Sequence, residues 1–461
     1  MIAQSLPAVG TAPLVAHQDA AAIVAFYRGA SVPLARFLID VARATAVLPD
    51  CKYVLNACAN RYHFAVGLAA VAASGRMSVL PSSYASGSIR QLQEDAVDVC
   101  CLQDGDVDIA LPKVVFPVLS DTACAQSFGK IALPHIALTQ EVVTVFTSGT
   151  TGLSVGHHKT WGSLVEGARL QAQRLGVDQG ASYALVGTVP PQHMYGLEST
   201  VMLGLHGHVA ISADRPFYPR DIASALAAIP RPRLLVTSPV HLRALLTSGL
   251  SLPPVDAILC STAPLPIALA EEAERRLSAP LYEIYGATEA GQIASRRPAL
   301  DPTWRLISGL SLDRRGDEFW VHGGHVQEPV LLNDVIERKG SAHFLLLGRG
   351  HDVVNVAGKR SSLGFLEQQL LGIPGVIDGV FYMPEEDLAG PVVRLMAFVV
   401  APTLSAAAIE GALRERIDPA FLPRPLYFVE ALPRLATGKM PLASLRTLVA
   451  SLGRDASRGR G

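Results

Sequence analysis

The chain of 461 residues has almost no net charge, with 39 lysines and arginines against 40 aspartates and glutamates. It also lacks a block of basic residues. Without a positive net charge or a basic block, the sequence has little of the electrostatic attraction that drives nonspecific binding to nucleic acids and anionic membranes. We therefore expect neither a nucleic acid nor a membrane among its partners.

Long apolar runs are missing as well. The longest nearly uncharged apolar stretch, residues 64–75, falls short of the ~20 residues that a helix needs to span a bilayer. Residues 1–19 do not combine a basic head, an apolar run and a small-residue cleavage site, as a secretory leader would. These features predict a cytoplasmic protein.

The six cysteines are neither dense nor spaced as CxxC pairs. Such usage is typical of buried thiols in a reducing compartment, rather than of disulfides or a metal site. Hydrophobic residues, in contrast, make up 49% of the chain. That share is enough to build the cores of two or three domains.

Short apolar runs alternate with stretches of helical periodicity through most of the chain. Strands are predicted at residues 53–56, 77–81, 141–147, 183–189, 234–237 and 257–260. Helices are predicted at residues 21–27, 34–46, 161–175, 221–228 and 241–246. This alternation predicts an α/β fold with a mostly parallel sheet covered by helices.

From residue 317 the pattern changes to short strands separated by glycine and charged turns, which predicts a β-rich cap. After residue 348 about 110 residues remain, enough for a small α+β domain. The sequence thus predicts a large N-terminal domain of layered α/β subdomains, residues 1–349, and a small mobile C-terminal domain, residues 350–461. Glycines near the boundary suit a hinge.

A segment rich in glycine and hydroxyl groups follows the predicted strand at residues 141–147. Backbone N–H groups, hydroxyls and the N-terminus of the helix predicted to begin near Trp161 would favour an anion such as a triphosphate. The GxxxxGK[ST] pattern is absent, which disfavours a Walker-type nucleotidase, and the segment alone also fits a plain turn. Its residues are Thr147, Ser148, Gly149, Thr150, Thr151 and Gly152.

A second segment combines an aromatic ring, a hydroxyl and a carboxylate in Tyr285, Gly286, Ala287, Thr288 and Glu289. Glu289 suits Mg²⁺, which prefers oxygen ligands and usually binds one or two carboxylates together with substrate phosphates. The alternative is a threonine that caps a helix beside an exposed glutamate. Upstream, Ser261, Thr262 and Ala263 follow a predicted strand and form, with Tyr285, a slot that suits a planar base.

Only seven of the 39 basic residues are lysines, and Lys439 lies in a Thr-Gly-Lys turn near the C-terminus. A mobile point charge can bridge phosphate and carboxylate oxygens. Most lysines in such turns are, however, simply exposed to solvent.

In this order and spacing, the segments resemble the adenylate-forming superfamily of acyl- and aryl-CoA synthetases, luciferases and peptide-synthetase adenylation domains. The resemblance covers residues 50–445 and includes Asp334, Arg349, Gly358 and Lys439. It implies a two-step reaction. A carboxylate and ATP form an acyl-adenylate, and a thiol then takes the acyl group and releases AMP.

The resemblance also implies roles for single residues. Lys439 would contact the carboxylate and the α-phosphate, and its charge would offset negative charge in the transition state. His193 would line the acyl pocket instead of being an ordinary core histidine. The other implied contacts are Glu289 with Mg²⁺, Thr288 with the α-phosphate, Asp334 with the ribose hydroxyls, Arg349 with the ribose-phosphate side, and Tyr285 with adenine.

The chain departs from the family after the phosphate loop, where relatives usually continue with Pro-Lys-Gly and this chain has Ser-Val-Gly. The usual loop lysine is therefore missing. Two residues of the following segment, Lys159 and His158, are candidates to replace its charge at the β- and γ-phosphates.

Residues 56–64, 77–83 and 157–164 resemble the ligases of aryl-polyene and xanthomonadin-type pigment pathways. This resemblance implies an enzyme that uses ATP and Mg²⁺ to adenylate a small aromatic carboxylic acid, 3- or 4-hydroxybenzoate. The acyl group would then pass to the phosphopantetheine thiol of an acyl carrier protein. Two alternatives stay open: an aryl- or acyl-CoA ligase that uses free CoA, and a non-catalytic adenylate-binding scaffold.

Overall fold

The computed structural model describes residues 10–81, 83–96, 98–117, 133–148, 154–179, 182–316, 318–349, 353–356, 359–384, 394–434, 440 and 444–449. The strands are β1 (Thr11–Pro13), β2 (Ile23–Tyr27), β3 (Ala30–Pro33), β4 (Tyr53–Asn56), β5 (Met77–Leu80), β6 (Val99–Gln103), β7 (Lys113–Val115), β8 (His135–Ala137), β9 (Glu141–Ser148), β10 (Ser154–Thr160), β11 (Tyr183–Gly187), β12 (Val209–Ser212), β13 (Arg233–Thr237), β14 (Ala257–Cys260), β15 (Leu281–Ala287), β16 (Gly291–Arg296), β17 (Trp304–Leu306), β18 (Leu310–Arg315), β19 (Glu318–Gly323), β20 (Val326–Leu332), β21 (Asp334–Arg338), β22 (His343–Arg349), β23 (Val353–Val356), β24 (Lys359–Ser362), β25 (Asp378–Tyr382), β26 (Met396–Val400) and β27 (Leu426–Phe428).

The α-helices are α1 (Leu34–Val47), α2 (Arg61–Ala73), α3 (Ser86–Asp95), α4 (Trp161–Leu175), α5 (Met194–Gly196), α6 (Leu203–His206), α7 (Pro219–Ala227), α8 (Pro239–Thr247), α9 (Ile267–Leu277), α10 (Leu363–Leu371) and α11 (Ala406–Arg414). A π-helical segment, Leu197–Met202, joins α5 to α6, and Pro419–Phe421 forms a 3₁₀ turn. Among the described residues, no helix has the length and apolar character needed to cross a membrane.

The first large sheet has six strands in the order β10-β9-β5-β4-β6-β7. Its strands are parallel except for β10, which runs antiparallel to β9. Helix α2 packs on this sheet and is buried along nearly its whole length, which fits its alanine-rich sequence. The side chain of Asn60 begins the helix by accepting a hydrogen bond from the backbone N–H of His63.

The second large sheet has eleven strands in the order β21-β22-β17-β16-β15-β14-β13-β11-β12-β2-β3. Its centre, from β2 to β15, is parallel, and both flanks are antiparallel. The carboxyl ends of β11, β13, β14 and β15 therefore lie along one edge, where ligands of open α/β sheets usually bind.

The predicted α/β fold is confirmed. Strand β14 and helix α4 have the predicted bounds. The predicted β-rich cap is a separate antiparallel sheet of β18, β19 and β20, which begins at residue 310 rather than 317. Strand β22, in the segment predicted to belong to the cap, joins the eleven-stranded sheet instead. The helix predicted at residues 21–27 is wrong. That segment contains β2, which lies between β12 and β3, and its sheet pairing overrides the local helical pattern.

The C-terminal part has its own three-stranded sheet, β25-β26-β27. Helices α10 and α11 cover it, and Leu366, Leu370, Ile409 and Leu413 are fully buried between them. The division into residues 1–349 and 350–461 stays a prediction.

Candidate active site

The hairpin of β15 and β16 carries the predicted metal-binding residue. Residues 288–290 form the turn that joins the two strands. Thr288 is half-buried at this turn, and the side chain of Glu289 is 43% exposed. The alternative of a helix-capping threonine is wrong, because the segment is a β-hairpin. The turn thus presents one carboxylate beside one hydroxyl.

Tyr285, on β15, meets a residue from a distant part of the chain. Its hydroxyl donates a hydrogen bond to Oδ2 of Asp334 at 2.5 Å, and its ring packs against Trp304 and Phe344. Asp334 begins β21 and lies opposite Arg349 of β22 in the strand register. The fold therefore brings together three predicted nucleotide-binding residues.

The small-residue segment follows β14 at the same sheet edge. Ser261 donates a hydrogen bond from Oγ to the backbone oxygen of Ile284 at 2.9 Å, and Ala263 is half-buried. Thr262 has φ +90°, which is strained for a β-branched residue. Its Oγ1 atom is buried and has no hydrogen-bond partner in the described part of the chain. Strain and an unsatisfied hydroxyl at one residue are typical of a binding site.

The predicted phosphate loop begins at the end of β9. Thr147 and Ser148 lie there and pair with Val155 and Ser154 of β10, while Gly149, Thr150, Thr151 and Gly152 lie outside the described residues. A hairpin thus replaces the expected passage from glycine turn to helix. Helix α4 begins at Trp161, as predicted, but the seven residues of β10 separate it from the loop. The helix N-terminus is not adjacent to the loop in sequence.

Strand β10 places its side chains alternately on two faces. His158 is exposed, and its Nδ1 lies 3.1 Å from Oγ1 of Thr144. Lys159 is buried and donates a hydrogen bond from Nζ to the backbone oxygen of Glu289 at 2.6 Å. His157, which the sequence reasoning missed, has Nε2 3.9 Å from Oε1 of Glu289. Residues two apart in a strand lie on the same face, so a strand assignment for residues 154–160 would have placed His157 beside Lys159.

His193 precedes the interrupted helix of α5, the π-helical segment and α6. It is half-buried, and its backbone oxygen accepts the hydrogen bond of the Leu197 N–H. Gly196 is required here, because a Cβ atom would lie 1.9 Å from the backbone oxygen of Pro190. The adjacent Tyr195 donates from its hydroxyl toward the backbone oxygen of Thr237 at 3.1 Å. This places the helix start next to the carboxyl end of β13.

A buried carboxylate that sequence reasoning missed lies in the π-helical segment. Burial raises the pKa of Glu198 to about 7, and the nearby charge of Lys159 opposes the rise. Its Oε1 lies 3.4 Å from the backbone N of Gln292, just after the turn of Glu289. π-Helical segments often occur at functional sites. This signal points to Glu198, and only the structure supplies it.

The residues present fit a magnesium ion shared with phosphates. No group of three metal-ligating side chains exists within the described ranges, so the protein offers Glu289 rather than a complete cage. Mg²⁺ is commonly bound by one carboxylate and substrate phosphates. Lys439 and Gly358 lie outside the described residues, and the side chain of Arg349 is not described.

Comparison with known proteins gives consistent results. The family model described as "AMP-binding enzyme" matches residues 45–313. The 4-coumarate–CoA ligase of Rhodobacter capsulatus is 30% identical over 297 residues, which cover 64% of this chain and 73% of the relative.

Among solved structures, the o-succinylbenzoate CoA synthetase of Bacillus subtilis with its acyl-adenylate superposes with a TM-score of 0.75 at 19% identity. The match covers 91% of this chain and 94% of that one. The same enzyme with ATP and a magnesium ion gives a TM-score of 0.73 at 19% identity, covering 91% and 95%. These likenesses establish the fold. The chain belongs to the AMP-binding enzyme family of adenylate-forming acid–thiol ligases.

Proposed function

We propose that the protein adenylates a small aromatic carboxylic acid with ATP and transfers the acyl group to the thiol of coenzyme A. The observation that carries this proposal is the convergence of the Tyr285–Asp334 pair with the turn of Thr288 and Glu289 at one sheet edge. That edge offers an aromatic face, a ribose-binding carboxylate and a metal-binding carboxylate for a single nucleotide.

In the first step, a carboxylate oxygen of the acid attacks the α-phosphorus of ATP. The bond from that phosphorus to the bridging oxygen breaks, and pyrophosphate leaves. In the second step, the thiol sulfur attacks the acyl carbon, AMP leaves and the thiol proton passes to solvent. The small domain turns about residues 349–351 between the two steps.

Each proposed residue has one task. Tyr285 packs along adenine, and Asp334 accepts hydrogen bonds from the ribose hydroxyls. Thr288 donates to the α-phosphate. Glu289 would hold Mg²⁺, which would neutralise charge on the phosphates. Lys439 offsets charge on the carboxylate and α-phosphate as the new bond forms. The segments of Thr147–Gly152 and Ser261–Ala263 complete the phosphate and base sites, and Arg349 contacts the ribose-phosphate side.

An aromatic acid is favoured by two observations. Two of the relatives that match this chain are named for 4-coumarate and o-succinylbenzoate, both aromatic acids. His193 and Tyr195 lie at the helix start that faces the ends of the central strands. We infer that His193 lines the acyl pocket there. Hydroxybenzoates, which the pigment-pathway resemblance implies, are further candidates in this class.

The thiol acceptor distinguishes this proposal from the carrier-protein ligase that the pigment-pathway resemblance implies. Both relatives named above act with coenzyme A, so the comparisons favour that acceptor. The test is an AMP-release assay with ATP and the acid that the enzyme adenylates. It compares micromolar CoA with micromolar holo-acyl carrier protein as the thiol acceptor. Turnover with CoA supports the proposal. Turnover with the carrier protein but not with CoA would instead support the carrier-protein ligase.

Carboxylate-dependent exchange of labelled pyrophosphate into ATP tests the first step. The acid panel contains 4-coumarate, 2-succinylbenzoate and the two hydroxybenzoates, with acetate and a long-chain fatty acid as non-aromatic controls. We expect the fastest exchange with one of the aromatic acids. Absence of exchange with every acid would favour the non-catalytic scaffold.

Lys439→Ala should reduce the exchange by roughly 10²–10³, because loss of one transition-state donor has this effect. ATP binding should persist. The matched control is Lys339→Ala, which removes an exposed lysine paired with Glu337. Unchanged exchange in Lys439→Ala would remove this lysine from the mechanism.

A further inference from the structure

Lys159 occupies an unusual position for a lysine. It lies near the end of β10, the strand that follows the phosphate loop in sequence, yet its side chain is buried. Lysines are almost never fully buried without a partner. Here the ammonium donates a hydrogen bond to the backbone oxygen of Glu289 at 2.6 Å. The lysine therefore contacts the backbone of the turn that carries the proposed metal ligand.

Glu198 contacts the other end of the same turn. Its Oε1 atom lies 3.4 Å from the backbone N of Gln292. Gly291 lies between the two contacts and has φ +78°, and a Cβ atom on it would lie 2.5 Å from Oε1 of Glu198. A glycine is thus required for this close approach. Burial lowers the pKa of Lys159 and raises that of Glu198, and the charge of each residue opposes the shift of the other.

We propose that Lys159 and Glu198 are positioning residues that hold the turn of residues 288–290 from both ends, so that the carboxylate of Glu289 faces the metal-bound phosphates. Lys159 then does not replace the missing lysine of the phosphate loop by touching phosphate. This inference rests on the proposed function, because it assigns Glu289 to Mg²⁺ and ATP.

Three structural facts favour positioning over direct phosphate binding. The ammonium of Lys159 is already hydrogen-bonded to the backbone of Glu289. Moving it toward the loop would break this hydrogen bond and take the positive charge away from the buried carboxyl group of Glu198. His157 lies on the same face of β10, with Nε2 3.9 Å from Oε1 of Glu289. The side chains of this face therefore converge on the turn.

The test is Lys159→Met, which keeps the length of the side chain and removes its charge and donors. ATP affinity is measured by calorimetry without any acid, in Mg²⁺ and in EDTA. We expect Lys159→Met to weaken binding about tenfold in Mg²⁺, the loss of one charge-assisted hydrogen bond. In EDTA the affinity should stay within about twofold of the wild type, because Glu289 has no metal to hold.

A double-mutant cycle separates positioning from direct contact. If Lys159 acts through Glu289, adding Lys159→Met to Glu289→Ala leaves Mg²⁺-dependent ATP affinity unchanged. An equal loss in EDTA, or a tenfold loss that persists in Glu289→Ala, overturns the proposal. The matched control is Lys113→Met, which removes an exposed lysine on β7 at the opposite edge of the same sheet; a comparable loss there also overturns it.

If Lys159→Met does not fold, Lys159→Met combined with Glu198→Gln removes both buried charges, and the same Mg²⁺-dependent loss is expected.

Failure of the positioning proposal can be distinguished from failure of the proposed function. A wild type that binds ATP more tightly in Mg²⁺ but exchanges no pyrophosphate refutes the function and leaves the positioning result standing. A wild type whose ATP affinity is identical in Mg²⁺ and EDTA refutes the positioning.

Discussion

Arg296 and Glu283 form a buried ion pair that supports the site. Nε of Arg296 lies 2.7 Å from Oε2 of Glu283, and the two side chains are only 10% and 5% exposed. The other carboxylate oxygen accepts a hydrogen bond from the backbone N–H of Leu265 at 3.2 Å. The pair therefore fixes the segment that follows Ser261–Ala263. Arg296→Met removes the cation and leaves Glu283 buried without its partner.

The expected loss can be worked from this geometry. Removing one partner of a buried pair typically costs about 3–5 kcal/mol. We expect the lower value, about 3 kcal/mol at pH 7, because Glu283 can take up a proton. Burial already raises the pKa of Glu283 against the opposing charge of Arg296, and loss of that charge raises this pKa further.

The proton makes the loss depend on pH. A carboxyl group with a raised pKa in the folded state contributes its full stability at low pH and loses it as pH rises through that pKa. One proton of difference changes the free energy of unfolding by about 1.4 kcal/mol per pH unit. The penalty of Arg296→Met should therefore be larger at pH 7 than at pH 5.5, by at most about 2 kcal/mol.

Urea unfolding at the two pH values, followed by tryptophan fluorescence, measures this difference. The three tryptophans of the chain, Trp161, Trp304 and Trp320, all report on the large N-terminal part. As a control, Arg275→Met breaks an exposed ion pair with Glu272 and should cost well under about 1 kcal/mol at both pH values. Equal penalties of Arg296→Met at pH 5.5 and 7, or a loss no larger than that of the control, would refute the reasoning.

Three further substitutions test the site. Gly196→Ala should lower stability by more than about 3 kcal/mol in thermal unfolding, because its Cβ would overlap a backbone oxygen. Gly411→Ala, in a helix with open space around it, should stabilise by up to about 1 kcal/mol; a similar loss in both would contradict the overlap. Thr262→Gly should raise the thermal midpoint by relieving strain of about 1–3 kcal/mol while weakening ATP binding, and unchanged binding would exclude the hydroxyl from the site. Tyr285→Phe should weaken ATP binding about tenfold through a misplaced Asp334, measured by calorimetry, and unchanged affinity would exclude that role.

Much of the fold follows from local sequence. Helix α4 begins at Trp161 because Thr160 caps it, and it ends at Leu175 before Gly176, whose φ is +67°. Strand β14 is a short apolar run that is buried on both faces, as expected for the middle of a parallel sheet. Both features are encoded in adjacent residues, so periodicity and end signals were sufficient.

One local prediction was wrong and one strand was missed, for the same physical reason. The segment of β2 has helical spacing, and β10 carries a mixed polar sequence between a loop and a helix. Each is a strand because a partner strand supplies its backbone hydrogen bonds. Such partners are distant in sequence or lie across a loop, and no local pattern specifies them.

The sequence alone determined which chemical groups are available and the order in which they occur, because the glycine loop, Thr288–Glu289 and Lys439 each belong to a short local motif. Only the tertiary structure decided which groups meet. Tyr285 bonds to Asp334 across 49 residues, and Lys159 reaches the Glu289 turn across 130. These contacts depend on strand order and on the face to which each side chain points. The proposed positioning roles of Lys159 and Glu198 could therefore be inferred only from the folded structure, in which the two residues contact the backbone on either side of Gly291.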